Sequence, residues 1–403
     1  MKNIFLKWVL IISFFTTGIF LSCQKEDFNP PVAKLSKGIS TVEAKSVAVN
    51  FFSGKVEVGM LRAKPVTEKQ VKEVLIVPDD LNQPALYIVN FSPTGFVIVS
   101  ASQKEMPILG FSEETNFSIE NAPLGLREWI ELRKDKISML KGDNIIIPVE
   151  VKSEWMKYIK PQDPDYDPEL DPENQDYITS RTIEKGPLMK TTWGQGSGYN
   201  TFLTPINGLL PPTGCVATAT AQVMKYHQFP VTYAWNTMAN SYGTSETAKL
   251  MKDVGISVGM SYALDGSGAQ TSDARNALVS QFGYSSSATY QVYNVNTVVT
   301  EISANRPVIF DGYATKDVNG WWIFEQTSYR DGHAWVCEGY RIMECYKQIS
   351  GTVTQQFVYL YMNWGWNGQY NGYFASNNFN ITFTDGSTTN FKYKNRCITN
   401  IHP

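Results

Sequence analysis

The sequence predicts an α+β protein in two folded parts, a small antiparallel sheet with flanking helices followed by a larger domain whose helices precede its strands. Three observations carry this. Over residues 28–150, short apolar runs of strand character sit between two runs of helical period. A Pro- and Asp-rich stretch at 161–175, almost free of apolar side chains, then interrupts the chain. Beyond it, helical runs at Cys215 and at 272–282 give way to short aromatic-rich strands separated by Gly and Asn. At 403 residues the chain also exceeds the usual size of one domain.

The elements follow in order. Lys2 and Lys7 precede an apolar run over 8–21, too short to span a bilayer and suited to a signal-peptide core. It ends in Phe20-Leu21-Ser22-Cys23, a small residue followed by Cys, which resembles a bacterial lipobox, with Phe20 a relaxed match. The expectation is a signal peptide over 1–22 and lipidation of Cys23. Residues 42–52 form a helical run with Ala44, Val47 and Phe51 on one side, and residues 126–140 another. Strand-like runs at 74–77, 85–89 and 95–99 lie between them. The 161–175 stretch cannot bury enough apolar surface to order itself, so it reads as an exposed linker, with Arg181 and Lys185 beyond it as cleavable sites.

Composition excludes some functions. With 35 Lys plus Arg against 38 Asp plus Glu there is no basic field for nucleic acid. Five cysteines, Cys23, Cys215, Cys337, Cys345 and Cys397, are too few and scattered for a disulfide framework. No Cys or His pair has zinc-ligand spacing, so neither metal nor other cofactor is expected.

The chemistry concentrates in four places. Pro211-Pro212-Thr213-Gly214 breaks preceding structure, and Cys215 opens a helix with Ala217, Ala221 and Met224 on one face and Pro230 at its end. A helix N-terminus carries about half a positive charge, which favours a thiolate there. His333, after Gly332, opens an apolar stretch; a side chain at a strand's beginning can face a cleft. His suits a Cys partner because its pKa lies near neutrality. Of the three histidines, His227 lies at the far end of the Cys215 helix and His402 near the C-terminus, which leaves His333. Asn363, beside Trp364 and Trp366 in a Gly-rich turn, could hold an imidazole nitrogen. Gln195 could donate an amide N–H to an oxyanion beside the Cys215 N–H.

Together these blocks resemble the streptopain family of bacterial cysteine peptidases: Thr-Gly-Cys-Val-Ala-Thr-Ala-Thr-Ala-Gln at 213–222, Gly-His-Ala at 332–334, Asn-Trp-Gly-Trp at 363–366 and Gln-Gly-x-x-Tyr-Asn at 195–200. The segment 95–112 is similar to that family's inhibitory prodomain. The papain-type Cys-Gly-Ser-Cys-Trp signature is absent. The resemblance implies a papain-like peptidase domain over 187–403, a prodomain over 23–150 that inhibits it, and an activation linker over 151–186. It implies Cys215 as nucleophile, His333 as base and acid, Asn363 orienting His333, and Gln195 in the oxyanion hole. Gly266, Ser267, Gly268, Gly332 and Trp364 would border the substrate cleft. The lipid-like signals at 20–27 imply an exported, outer-membrane or cell-surface lipoprotein acting on proteins or peptides, its mature domain released by cleavage. A binding protein on an inactive peptidase fold and an acyl transferase using the same Cys and His are the rival classes.

Overall fold

The computed structural model describes residues 38–53, 69–142, 145–159, 178–319, 326–376, 380–382, 384, 388–390 and 395–403. The signal peptide, Cys23 and the 161–175 stretch lie outside the described residues. The N-terminal part runs α1 (Thr41–Ser53), β1 (Gln70–Pro78), β2 (Pro84–Ser92), β3 (Phe96–Ser100), β4 (Ile108–Ser112), α2 (Leu124–Leu140) and α3 (Val149–Tyr158). There follow β5 (Ile178–Lys185), α4 (Cys215–His227), α5 (Ser245–Ser257), α6 (Thr271–Ser280), β6 (Thr289–Val292), α7 (Val295–Ser303), β7 (Val308–Asn319) and β8 (Gln326–Lys347). The chain closes with β9 (Val353–Asn363), β10 (Gly372–Ala375), β11 (Asn380–Thr382), β12 (Thr388–Asn390) and β13 (Arg396–Thr399).

Helix α1 begins with a reciprocal cap, the Ser40 N–H donating to Glu43 Oε2 at 2.7 Å and the Glu43 N–H to Ser40 Oγ at 3.3 Å. Of the face expected from the sequence, Ala44 and Val47 are buried, while Phe52 rather than Phe51 goes fully inside. Two stretches of the expected linker are built into the fold. Residues 149–158 are helical, and 178–185 form β5, paired with β8 from Ile178↔Lys347 to Lys185↔Tyr340. Arg181 and Lys185 therefore sit in a paired strand, Arg181 bonded to Glu344, and not in an open loop.

All strands named in the large sheet pair antiparallel, in the order β1-β2-β3-β4-β10-β9-β8-β7-β13-β6, with β5 added on β8. The seam between the two parts is the short β4–β10 pairing, Phe111↔Tyr373 and Gly110↔Phe374. Aromatic rings close it, Phe111 stacking on Tyr373 at 5.1 Å and Trp129 meeting Phe374 edge-on at 5.2 Å. Helix α2 clamps the end of β10: Trp129 Nε1 and Arg133 Nη2 both donate to the Ala375 carbonyl, at 3.0 and 2.6 Å.

Strand β8 organises both cores through its period of two. Ala334 and Val336 face the core built on α4, α5 and α6, whereas Trp335 and Cys337 face the core shared with the N-terminal part. Helix α4 is not the one-sided helix that its sequence suggests, since every residue from Val216 to Met224 is buried. Its small side chains let it run through the middle of its core. Cys337, Cys345 and Cys397 are buried free thiols.

Candidate active site

Cys215 is held where α4 starts. The Thr213 N–H donates to the Gln195 carbonyl at 2.9 Å, and the Thr218 hydroxyl, 3.0 Å from that of Thr213, donates to the Gly214 carbonyl at 3.0 Å. Gly214 has φ +87°, and a Cβ there would lie 2.6 Å from Met260 Sδ and 3.0 Å from the Ser267 carbonyl. Only glycine fits both the dihedral and the space. The half-buried Cys215 side chain therefore leaves the helix start on a rigid approach.

His333 does not open its strand; it lies inside β8, opposite Gly312 of β7. Its ring is 5% exposed and nearly parallel to Trp335, while Trp366 meets it edge-on at 6.2 Å. Nε2 is 3.1 Å from the Trp364 backbone carbonyl. A carbonyl only accepts, so that nitrogen carries the proton and Nδ1 keeps the lone pair a general base needs.

Asn363 does not hold the imidazole. Its Nδ2 donates to the Thr191 carbonyl at 2.8 Å and to Glu338 Oε1 at 3.0 Å, and its Oδ1 accepts from Gly365 N–H and Gln222 Nε2, both at 3.3 Å. With those partners the amide is spent, and the neighbouring main-chain carbonyl faces the histidine instead. The Gln195 carbonyl is tied to the N–H of Thr213, which lies two residues before Cys215, and the Gln195 side chain makes no hydrogen bond among the described residues.

Cys215 and His333 line one cleft of about 470 Å³, together with Val216, Val258, Ala269, Gly312 and Ala334. No hydrogen bond joins the two side chains among the described residues. Burial pushes the Cys215 thiol up, outweighing the N–H groups of Ala334, Val216 and Cys215 that pull it down, and Asp311 pushes it further. The lowered thiol pKa expected from the helix start is thus reversed here by desolvation. Burial holds His333 down to about 4 against the Trp364 carbonyl, which raises it. At neutral pH the pair is thiol plus neutral imidazole, a latent state.

Of the expected cleft residues, Gly332 and Gly268 line it. Gly266 and Ser267 stand in the adjoining loop, closed by the Ser261↔Gly268 bridge, with the Ser267 carbonyl turned to Gly214. Trp364 does not border the cleft. Its indole is 1% exposed, bonds the Tyr370 carbonyl and packs under α2, where a Cβ on Gly125 would lie 3.2 Å from it. Sequence reasoning missed Asp311, a buried carboxylate in the cleft wall that accepts from Tyr290 Oη at 2.5 Å; an Asp ending the apolar run 308–310 was its only signal.

Residues 193–234 and 231–374 match the Peptidase C10 family, and residues 36–137 match the Spi protease inhibitor family. Streptopain of Streptococcus pyogenes is 26% identical over 441 residues, covering 93% of this chain and 94% of that protein. The thiol protease/hemagglutinin PrtT of Porphyromonas gingivalis is 25% identical over 411 residues, which span 90% of this chain and 41% of that protein. The solved structure of prointerpain A from Prevotella intermedia shares the fold, with TM-score 0.53 at 23% identity over 82% of this chain and 98% of that one.

Proposed function

Because this chain belongs to the Peptidase C10 family of cysteine peptidases and carries a Spi-type inhibitor segment ahead of the peptidase, we propose that Cys215 is its nucleophile and His333 its general base and acid. The observation that carries this is their shared cleft, with the Cys at a helix start and the His tautomer set by a main-chain carbonyl. The N-terminal part, 23–150, would act as inhibitor, and cleavage between α3 and β5 would release the peptidase.

In the released enzyme, His333 Nδ1 takes the Cys215 proton, and the thiolate attacks the scissile carbonyl carbon. A C–S bond forms and the carbonyl electrons move onto oxygen, where the Cys215 N–H and the Gln195 amide stabilise them. The C–N bond then breaks as His333 returns its proton to the leaving amine. Water, deprotonated by His333, attacks the thioester; the C–S bond breaks, and the carboxyl product and the thiol are restored. No cofactor takes part in these steps.

Export with lipid on Cys23 and a cell-surface location complete the reading, supported by the charged, apolar and small-residue order of 1–23. The test is to incubate residues 24–403, wild type and Cys215→Ala, under reducing conditions and follow chain length and casein cleavage. Self-shortening with caseinolysis in the wild type alone supports the reading. An intact, inert wild type, even after an added protease has cut between α3 and β5, refutes it.

A further inference from the structure

Glu338 is a buried carboxyl group, 2% exposed, that the proposed chemistry does not use. Its Oε2 accepts from the Met189 N–H at 2.5 Å and its Oε1 from Asn363 Nδ2 at 3.0 Å. We propose that Glu338 is a positioning residue for His333, acting through the Asn363 amide and the Trp364–Gly365 peptide; this rests on the reading of His333 as general base.

The Asn363 amide, fully buried, has only one way to sit. On its nitrogen side lie two acceptors, Glu338 Oε1 and the Thr191 carbonyl; on its oxygen side lie two donors, Gly365 N–H and Gln222 Nε2. Gln222 is itself fixed, because its Oε1 accepts the Trp193 N–H at 3.2 Å. Turning the Asn363 amide over would set donor against donor and acceptor against acceptor. Asn363 Oδ1 therefore faces Gly365.

The Gly365 N–H and the Trp364 carbonyl belong to one planar trans peptide, so they point in opposite directions. Holding the N–H on Asn363 aims the carbonyl away from it, and that carbonyl stands 3.1 Å from His333 Nε2. Gly365 has φ +68°, and the Trp364 N–H is tied to Asn371 Oδ1 at 3.2 Å, which fixes the turn on both sides. The carboxyl thus helps fix, two links away, which imidazole nitrogen carries the proton.

The same carboxyl frames the other half of the site. The segment 188–193 leads to Gln195 and is held by Leu188 N–H on the Glu338 carbonyl at 2.9 Å, by Met189 N–H on its side chain, and by the Asn363 and Gln222 bonds. Burial raises Glu338 to about 8 while its two N–H donors pull it down, and no ion pair to it occurs among the described residues. A carboxyl kept in so unfavourable a place fits an orienting role better than a packing one.

The experiment uses residues 24–403, matured by cleavage, as wild type, Glu338→Gln, Asn363→Asp and the double variant, each checked by thermal melting. The single changes set two donors or two acceptors face to face; the double change restores one donor–acceptor pair. Each single variant should lose about tenfold or more in kcat with KM within about twofold, and should shift the pH dependence of Cys215 alkylation by iodoacetamide. The double variant should recover part of both. If folded single variants keep wild-type kcat and alkylation profile, or if their losses simply multiply in the double variant, the proposal is overturned. Should Glu338→Gln not fold, Asn363→Ala is read by the same two measurements. A wild type that alkylates normally yet cuts nothing would remove the peptidase reading, while the alkylation profiles still decide the positioning.

Discussion

The imidazole of His333 lies over the indole of Trp335, with centroids 6.0 Å apart and planes 17° from parallel. Trp335 has Phe310 stacked against it at 5.8 Å, and α2 covers it, a Cβ on Gly125 falling 2.7 Å from its ring. The proposed general base is therefore stacked on a side chain that the inhibitor segment presses upon. Removal of that segment would uncover Trp335, and the proposed activation by cleavage would then reach the cleft through this stack.

Cys215 should alkylate slowly in the intact precursor and faster once the N-terminal part has gone. With its thiol raised by burial, little thiolate exists at pH 7. We expect the iodoacetamide rate at Cys215, followed by mass spectrometry, to rise by about tenfold or more on removal. Equal rates in both forms would mean that the latent state does not depend on the N-terminal part.

Gly125→Val should weaken the seam and speed conversion. The added atoms would collide with Trp335 and with Trp364, and overpacking of this kind costs about 1–3 kcal/mol. The time course of self-shortening, compared with wild type at equal concentration, reads this out. A folded Gly125→Val precursor that converts no faster would show that this contact does not restrain activation.

Gln195→Ala should leave the main-chain bond from Thr213 to residue 195 intact while removing the amide. Loss of an oxyanion donor lowers kcat by about 10²–10³ with little change in KM. Steady-state kinetics on the matured enzyme would take Gln195 out of the oxyanion hole if kcat stayed at the wild-type value.

Much of this was legible in the sequence, and the exceptions share a cause. The strands β1, β2 and β3 and the helices α1 and α2 followed from period and turn residues, whereas β4 and α3 did not, and Cys215 and His333 stood out because Gly214, Pro212 and Gly332 punctuate the chain beside them. The β4–β10 seam was not legible, since it rests on two residue pairs between distant segments. Nor was the Trp364 carbonyl, a main-chain group that every residue possesses; Asn363, the side chain beside it, drew the assignment instead. Nor was the burial of Arg133 on α2, which is 1% exposed and donates to the Ala375 and Ser376 carbonyls across the seam. Such features exist only after the fold has paired them.

The contribution of His333 to the stability of the precursor should fall as pH drops through the window between the ordinary histidine value and that of the buried side chain. Burial depresses His333 from 6.5 to about 4, so between those values the unfolded chain binds a proton that the folded chain refuses. The stabilisation is present above about pH 6.5 and is lost progressively toward pH 4, amounting to at most about 3 kcal/mol. Glu338 acts oppositely: raised from 4.5 to about 8, it adds stability as pH falls through that range. The His333 contribution must therefore be isolated by difference, with Cys215→Ala as background to prevent self-cleavage. Urea unfolding at pH 7 and pH 5 should show a larger loss on acidification for Cys215→Ala than for Cys215→Ala/His333→Gln. If both lose equally, His333 is solvated and protonated in the folded precursor, and its stacking on Trp335 does not hold it neutral.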